Sequence, residues 1–285
     1  MGVTLQHDLP GVGENLHDHP DVVMVVNAPK VTELFGISLP GVANMVKGLF
    51  EWRRRRSGPL TTNFAEAGGF IKSAPTEAIP DLQLHFVVGK LVDHGRKTVL
   101  GHGYSCHVCL LRPKSRGTLR LASADPQVMP LIDPAFLKEP DDVSRLVRGF
   151  KRMRELMQQP ALARHGGRES RASALAQSDA QIEQFVRNHA DTIYHPVGTC
   201  RMGPGPMDVV DARLRVHGVA GLRVVDASVM PTVVGGNTNA PVIMMAEKAV
   251  DMMLDDRLAT SSFQELHDDS RTRRHPDRPP QELGV

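Results

Sequence analysis

No apolar stretch in the sequence is long enough to cross a bilayer: runs such as Val22 to Val26 fall far short of the roughly 20 residues a spanning helix needs. Met1 is not followed by a basic stretch and an apolar segment, so no export signal is read, and Gln6 stands where a myristoylation signal wants Ser or Thr. The expected location is cytoplasmic. A dominant charge is missing too. The 34 basic and 32 acidic side chains leave a net +2, which gives no global field to draw in nucleic acid or an anionic membrane. The run Arg53 to Arg56 reads as a solvated helix face, and no nucleic-acid partner is expected.

Cysteine is scarce. Cys106, Cys109 and Cys200 make an odd count in a chain too large to need stapling, which fits a reducing compartment. Cys106 and Cys109 form a Cys-x-x-Cys, but no second pair completes a zinc site and no helix start adjoins them for thioredoxin chemistry. They read as strand residues. A complete G-x-G-x-x-G is also absent: Gly11-x-Gly13-x-x-Leu16 lacks the third glycine and a preceding strand. No nucleotide-binding Rossmann unit is read from this chain, and an NAD-dependent dehydrogenase is disfavoured.

The composition, 41% hydrophobic and 23% charged, is that of a soluble globular protein, and the length allows a full core. The stretch from Asp8 to Pro20, rich in glycine and proline, reads as an ordered connection without regular structure. Strand-like runs follow at Leu82 to Val88, Tyr104 to Leu111 and Gly117 to Ala122. No helical pattern lies between them, so antiparallel pairing is expected. After Pro140, the residues Val143, Leu146, Val147, Phe150, Met153 and Met157 recur at helical spacing, with Asp141 or Asp142 available as cap. Ser178 and Gln181 have capping-box spacing ahead of Ile182, Phe185 and Val186. Leu222 to Asp226 reads as a short strand. A last helix is expected from Asn239 or Ala240, with Pro241 in its first turn and Val242, Met245, Ala246, Ala249, Val250 and Met253 facing inward. Beyond about Asp256 the pattern dissolves into a charged, proline-bearing tail, for which disorder is expected.

Two segments carry candidate chemistry: Tyr194-His195-Pro196-Val197-Gly198-Thr199-Cys200-Arg201-Met202-Gly203 and Gly235-Gly236-Asn237-Thr238-Asn239-Ala240-Pro241. A neutral imidazole such as His195 is a natural proton acceptor near pH 7 because its unperturbed pKa is about 6.5. Asn237, Thr238 and Asn239 are residue types favoured at helix starts, and Asp226 is a turn-forming carboxylate. His17, Asp18 and His19 are adjacent but lack a partner cluster, so no metal is expected.

Both segments resemble the catalytic half of the glucose–methanol–choline (GMC) oxidoreductases, FAD-dependent alcohol dehydrogenases and oxidases. The similarity continues through Gly11 to His19, Ser57-Gly58-Pro59-Leu60, Glu66 to Phe70, Pro80 to Phe86, Pro113 to Leu121 with Ser123-Ala124-Asp125-Pro126, and Val224 to Pro231, so it spans Gly2 to about Leu254. The resemblance implies His195 as the base or proton relay at the substrate hydroxyl. It implies Asn239 as the partner across the substrate, where an amide orients the hydroxyl and steadies the developing alkoxide. It further implies FAD contacts at Asp226, Ala227, Asn237, Thr238 and Pro196, with the isoalloxazine at the Asn239 helix start, whose partial positive charge favours a reduced ring.

The expected architecture is α+β, an antiparallel-sheet substrate domain with helices plus C-terminal pieces of an FAD-binding domain. Residues 1–19 form a connection of the FAD domain, 20–190 the substrate domain, 191–256 the catalytic and flavin-contacting part, and 257–285 a disordered tail. The flavin-holding βαβ segment of the family is not found, so exposed apolar surface is expected. The expected function is FAD-dependent oxidation of choline or another primary alcohol to the aldehyde, as a fragment or half of the full enzyme. The alternative is a non-catalytic remnant or subunit that associates with a separate N-terminal FAD-binding polypeptide.

Overall fold

The computed structural model describes residues 2–33 and 35–272. The elements run β1 (Pro20–Asn27), β2 (Gly36–Ile37), α1 (Leu39–Arg55), β3 (Ala67–Ile71), β4 (Leu82–Val87), β5 (Gly101–Leu110), β6 (Thr118–Arg120), β7 (Leu131–Asp133) and α2 (Pro140–Met157). They continue with α3 (Pro160–Ala163), β8 (Arg168–Glu169), α4 (Arg171–Ala174), α5 (Asp179–His189), β9 (Asp191–Thr192) and α6 (Asn239–Thr272).

The main sheet has the order β3-β4-β5-β1-β8, with β2 added to β5 and β9 to β1, and every strand pairing within it is antiparallel. This is the α+β arrangement expected. β6 pairs with β7 as a separate two-stranded ribbon. Strand side chains alternate between faces, and the two faces here differ sharply. Val22, Met24 and Val26 of β1, Leu82 and Leu84 of β4, and Cys106, Val108 and Leu110 of β5 are buried in one core with α2 and α5.

α2 supplies that core as its periodicity requires: Val143, Leu146, Val147, Phe150, Met153 and Met157 are all buried, each worth about 1.5–3 kcal/mol relative to exposure. Gly149 lets the helix sit close on the sheet, since a Cβ there would come within 2.8 Å of Leu82 Cδ1 and 2.9 Å of Val108 Cγ2. The expected cap is corrected. Glu139 is the N-cap, without a side-chain bond, and Asp141 and Asp142 lie in the first turn. Asp142 is instead buried and binds the preceding loop, accepting from the Lys114 and Ser115 backbone N–H groups at 2.8 Å each and from Ser115 Oγ at 2.6 Å.

The capping box at Ser178 and Gln181 is present, with both reciprocal bonds formed. We expect Ser178→Ala to cost about 1 kcal/mol, because one orphan N–H of the first turn loses its acceptor. Thermal unfolding of the two proteins measures it.

Cys106 and Cys109 are buried free thiols. Three positions apart on a strand they point to opposite faces, so they cannot pair. Leu222 to Asp226 is not a strand: one bridge, Arg215 to Arg223, is flanked by single bonds from Val216 N to Leu222 O and from Val224 N to Leu214 O, too few to extend a ladder.

α6 starts at Asn239 as expected but differs in two respects. Ala249 is buried, whereas Ala246 is exposed, and Val250 and Met253 remain 53% and 39% exposed, so the inward apolar stripe is only partly covered. The helix also continues past Asp256 to Thr272, where a disordered tail is expected. Ala259, Glu265 and Leu266 are good helix formers, and helix propensity does not require the apolar stripe to persist. The remainder of the expected tail, 273–285, lies outside the described residues. No helix among the described residues is long and apolar enough to cross a membrane.

Candidate active site

Three distant segments converge beside the second face of the sheet. The connection expected at 8–20 is irregular but firmly held: Gly13 N donates to Thr199 O at 2.8 Å, Leu16 bridges Gly117 and His17 bridges Val197. Gly198 has φ +96, and a Cβ there would lie 2.5 Å from Asn15 O, so only glycine lets the two segments meet this closely. His17 is buried with both ring nitrogens committed. Nδ1 lies 2.6 Å from Asn15 O, and Nε2 accepts from Val233 N at 2.9 Å. That pairing fits the neutral ring, and burial lowers the His17 pKa to about 4.

Asp18 positions the backbone of His195. One carboxylate oxygen accepts from His195 N at 3.1 Å, the other from the Thr192 hydroxyl, and Thr192 Oγ1 in turn accepts from Tyr194 N at 2.7 Å. Burial raises the Asp18 pKa, opposed by these bonds. Tyr194 itself has φ +69, a left-handed conformation that non-glycine residues rarely adopt, and this turn presents the next residue. His195 is half-buried, and its pKa is lowered by desolvation, partly offset by Asp21. The ring is therefore neutral near pH 7 and able to take a proton. His195 Nδ1 lies 3.1 Å from Nδ1 of His19, a fully buried histidine whose Nε2 is 3.0 Å from Val234 O. The two rings meet edge-on at 85°.

The sheet face opposite the helical core carries Asp21 of β1, Gln83 and His85 of β4, and His107 and Cys109 of β5. Their alternation with the apolar core residues puts them on one side. His107 Nδ1 is 2.6 Å from Asp21 Oδ2, and both residues are buried. His85 pairs with His107 across the strands, and burial lowers its pKa, with His107 and His195 adding to the effect. Gln83 Nε2 donates to Asn237 Oδ1 at 3.4 Å, which joins this face to the loop entering α6. A cavity of about 480 Å³ opens on the same side of β1, lined by Val23, Val25, Lys90, Asp93, Arg96 and His189 among others.

Thr238 is buried and its carbonyl accepts from Val242 N, so it is the last residue before the helix. Asn239 opens α6 and is exposed. Asp226 caps a single helical turn at Ala227–Val229 through a 2.8 Å bond from Ser228 N. That turn is tied to the His195 segment by Cys200 N to Ser228 O and Met202 N to Val229 O. Asp226, Asn237 and Pro196 are exposed and Ala227 is partly buried. Among the described residues, no group of three or more His, Cys, Asp or Glu side chains is arranged to hold a metal ion.

Residues 113–246, which include the His195 loop and the start of α6, match the family model described as GMC oxidoreductase. Across those residues the chain is similar to the GMC oxidoreductases. Over 253 residues the chain is 47% identical to an alcohol dehydrogenase [acceptor] of Pseudomonas putida, covering 89% of the chain and 46% of that protein. It is 42% identical to an oxygen-dependent choline dehydrogenase of Escherichia coli O157:H7, covering 88% and 44%. It therefore spans about half the length of the curated relatives it matches. Among solved structures, formate oxidase from Aspergillus oryzae superposes with a TM-score of 0.78 at 26% identity, covering 90% of this chain and 49% of the other. Pyridoxine 4-oxidase from Mesorbium loti superposes with a TM-score of 0.69 at 27% identity, covering 87% and 44%.

The GMC motifs drew attention to His195 and Asn239 but not to the residues around them. His19, Asp18, Asp21, Gln83, His85 and His107 were not among the expected site residues. A signal for the sheet residues does exist: polar side chains at every second position of two otherwise apolar strands mark a face turned away from the core.

Proposed function

We propose that the chain is the substrate side of a GMC-type enzyme and serves an FAD-dependent oxidation of choline or another primary alcohol to the aldehyde. The observation that carries the reading is His195, a neutral, half-buried imidazole pinned at its backbone by Asp18 and at Nδ1 by His19, whose other ring nitrogen meets Val234 O in the loop leading to α6. His195 takes the hydroxyl proton, and Asn239, at the start of α6, orients the substrate oxygen through its amide. The proposed organisation keeps 1–19 as a connection of the FAD domain, 20–190 as the substrate domain and 191–256 as the flavin-contacting part.

The residues present fit the flavin end of FAD. In this reading the first N–H groups of α6, not used within the helix, serve the flavin, with Asn237, Thr238, Asp226, Ala227 and Pro196 as further contacts; Ala227 packs in one cluster with Val234 and with Val242 of α6. When bound, FAD supplies the acceptor for the hydride leaving the alcohol carbon. The second reading, a subunit that associates with a separate flavin-binding polypeptide, is favoured by apolar side chains left in solvent. Ile243, Met244, Val250 and Leu254 on α6, and Leu131 and Ile132 on β7, are all more than half exposed.

Replacing Asn239 tests the orienting role. In a complete enzyme containing this half, Asn239→Ala should slow anaerobic flavin reduction by about tenfold or more, the scale of one lost hydrogen bond to a developing charge. Asn239→His, which keeps a donor, should be milder. Thermal unfolding of both variants provides the control: a rate loss that only tracks a stability loss reduces Asn239 to a helix-start residue.

A further inference from the structure

We infer that His19 sets the tautomer of His195, keeping the ring proton on Nδ1 and leaving the Nε2 lone pair to meet the substrate hydroxyl. The inference builds on the reading of His195 as the base. It begins at a carbonyl. Val234 O can only accept, so His19 Nε2, 3.0 Å away, carries a proton. Burial, reinforced by His195 and His17 and opposed by the backbone of Val234 and Leu111, lowers the His19 pKa to about 4, so near neutral pH this ring has one proton, which the Val234 bond places on Nε2. His19 Nδ1 is then a bare lone pair.

The atom facing that lone pair, 3.1 Å away, is His195 Nδ1. Two lone pairs at this distance repel, so the bond forms only if His195 Nδ1 carries a hydrogen. The edge-on meeting of the rings suits an in-plane N–H entering an in-plane lone pair. His195 is itself neutral near pH 7, which leaves Nε2 as its acceptor. Proton transfer is then balanced without rearrangement: the substrate O–H bond breaks, an Nε2–H bond forms, and His195 becomes an imidazolium still donating from Nδ1 to neutral His19. The carbonyl that fixes His19 lies in the loop leading to Asn239, so the loop carrying the orienting amide also determines which nitrogen of the base is available. His19 is a positioning residue, acting on substrate only through His195.

Nitrogen-15 NMR of the histidine-labelled chain tests this directly, because the long-range couplings to ring carbon-bound hydrogens distinguish Nδ1–H from Nε2–H. The His195 signals are assigned by their loss in His195→Gln. Near neutral pH, His195 should show the Nδ1–H pattern and His19 the Nε2–H pattern. His19→Asn, which retains an acceptor toward Nδ1, should preserve the His195 pattern, whereas His19→Leu should abolish it. An Nε2–H pattern for His195 in the unaltered chain, or an Nδ1–H pattern that persists in His19→Leu, overturns the inference. Should His19→Leu fail to fold, the unaltered chain decides by itself. The base assignment fails by a different result: an Nδ1–H pattern on a His195 whose removal leaves flavin reduction unchanged.

Discussion

His195→Ala, in a complete enzyme containing this half, is expected to lower the rate of flavin reduction by about a hundredfold or more, the usual scale for loss of a general base. The argument starts from protonation. Desolvation holds the His195 pKa below its ordinary value, so the ring is free to accept a proton at pH 7. The sign follows: the active form is deprotonated, so the rate should be level through neutral pH and fall on acidification, with a midpoint below the ordinary histidine pKa. In His195→Ala that acid limb should disappear along with most of the rate. Stopped-flow reduction across a pH series measures both effects. A near-unaltered rate would remove His195 from the mechanism, and a midpoint above pH 7 would contradict a base kept neutral by burial.

The second large effect concerns cofactor retention. Expressed by themselves, these 285 residues are expected to purify without flavin and to leave alcohols unoxidised even when FAD is added. Adenine, ribose and pyrophosphate are most strongly held where a glycine-rich turn delivers a helix N-terminus to the phosphates. The described residues offer a helix start at α6, but part of the loop entering it is committed to other partners. Val234 O accepts from His19, Val233 N donates to His17, and Asn237 binds Gln83. What remains, around Asp226, Ala227 and the first turn of α6, reaches one end of the cofactor. An absorbance spectrum and a fluorescence titration with FAD decide the matter. Stoichiometric, tight binding with alcohol-dependent bleaching would show that this half suffices.

Much of the scaffold was legible because its determinants are local. The capping box at Ser178 and Gln181 needs only residues three apart, and the buried stripe of α2 follows from helical period. β4 and β5 announce themselves by apolar runs without an intervening helix, and they pair antiparallel. Reading was poorer where a side chain had two uses. Asp142 was a plausible cap, but the orphan N–H groups of Lys114 and Ser115 claim it. The α6 stripe has the period of a buried helix, yet Val250 and Met253 find little to pack against among the described residues.

The sequence alone determined that His195 sits in a tight, glycine-containing segment of GMC type and that Asn239 stands at a helix start, because both follow from neighbouring residues. Only the tertiary structure decided what surrounds them. His19 and Asp18 reach His195 across 176 and 177 positions of chain. Sheet register turns Gln83, His85 and His107 away from the core onto one face. Periodicity reports which face of an element is apolar. It carries no information about which distant loop closes over the other face, since that depends on the summed packing and hydrogen bonding of the whole fold. The nitrogen of His195 that is left to act belongs to this second kind of fact.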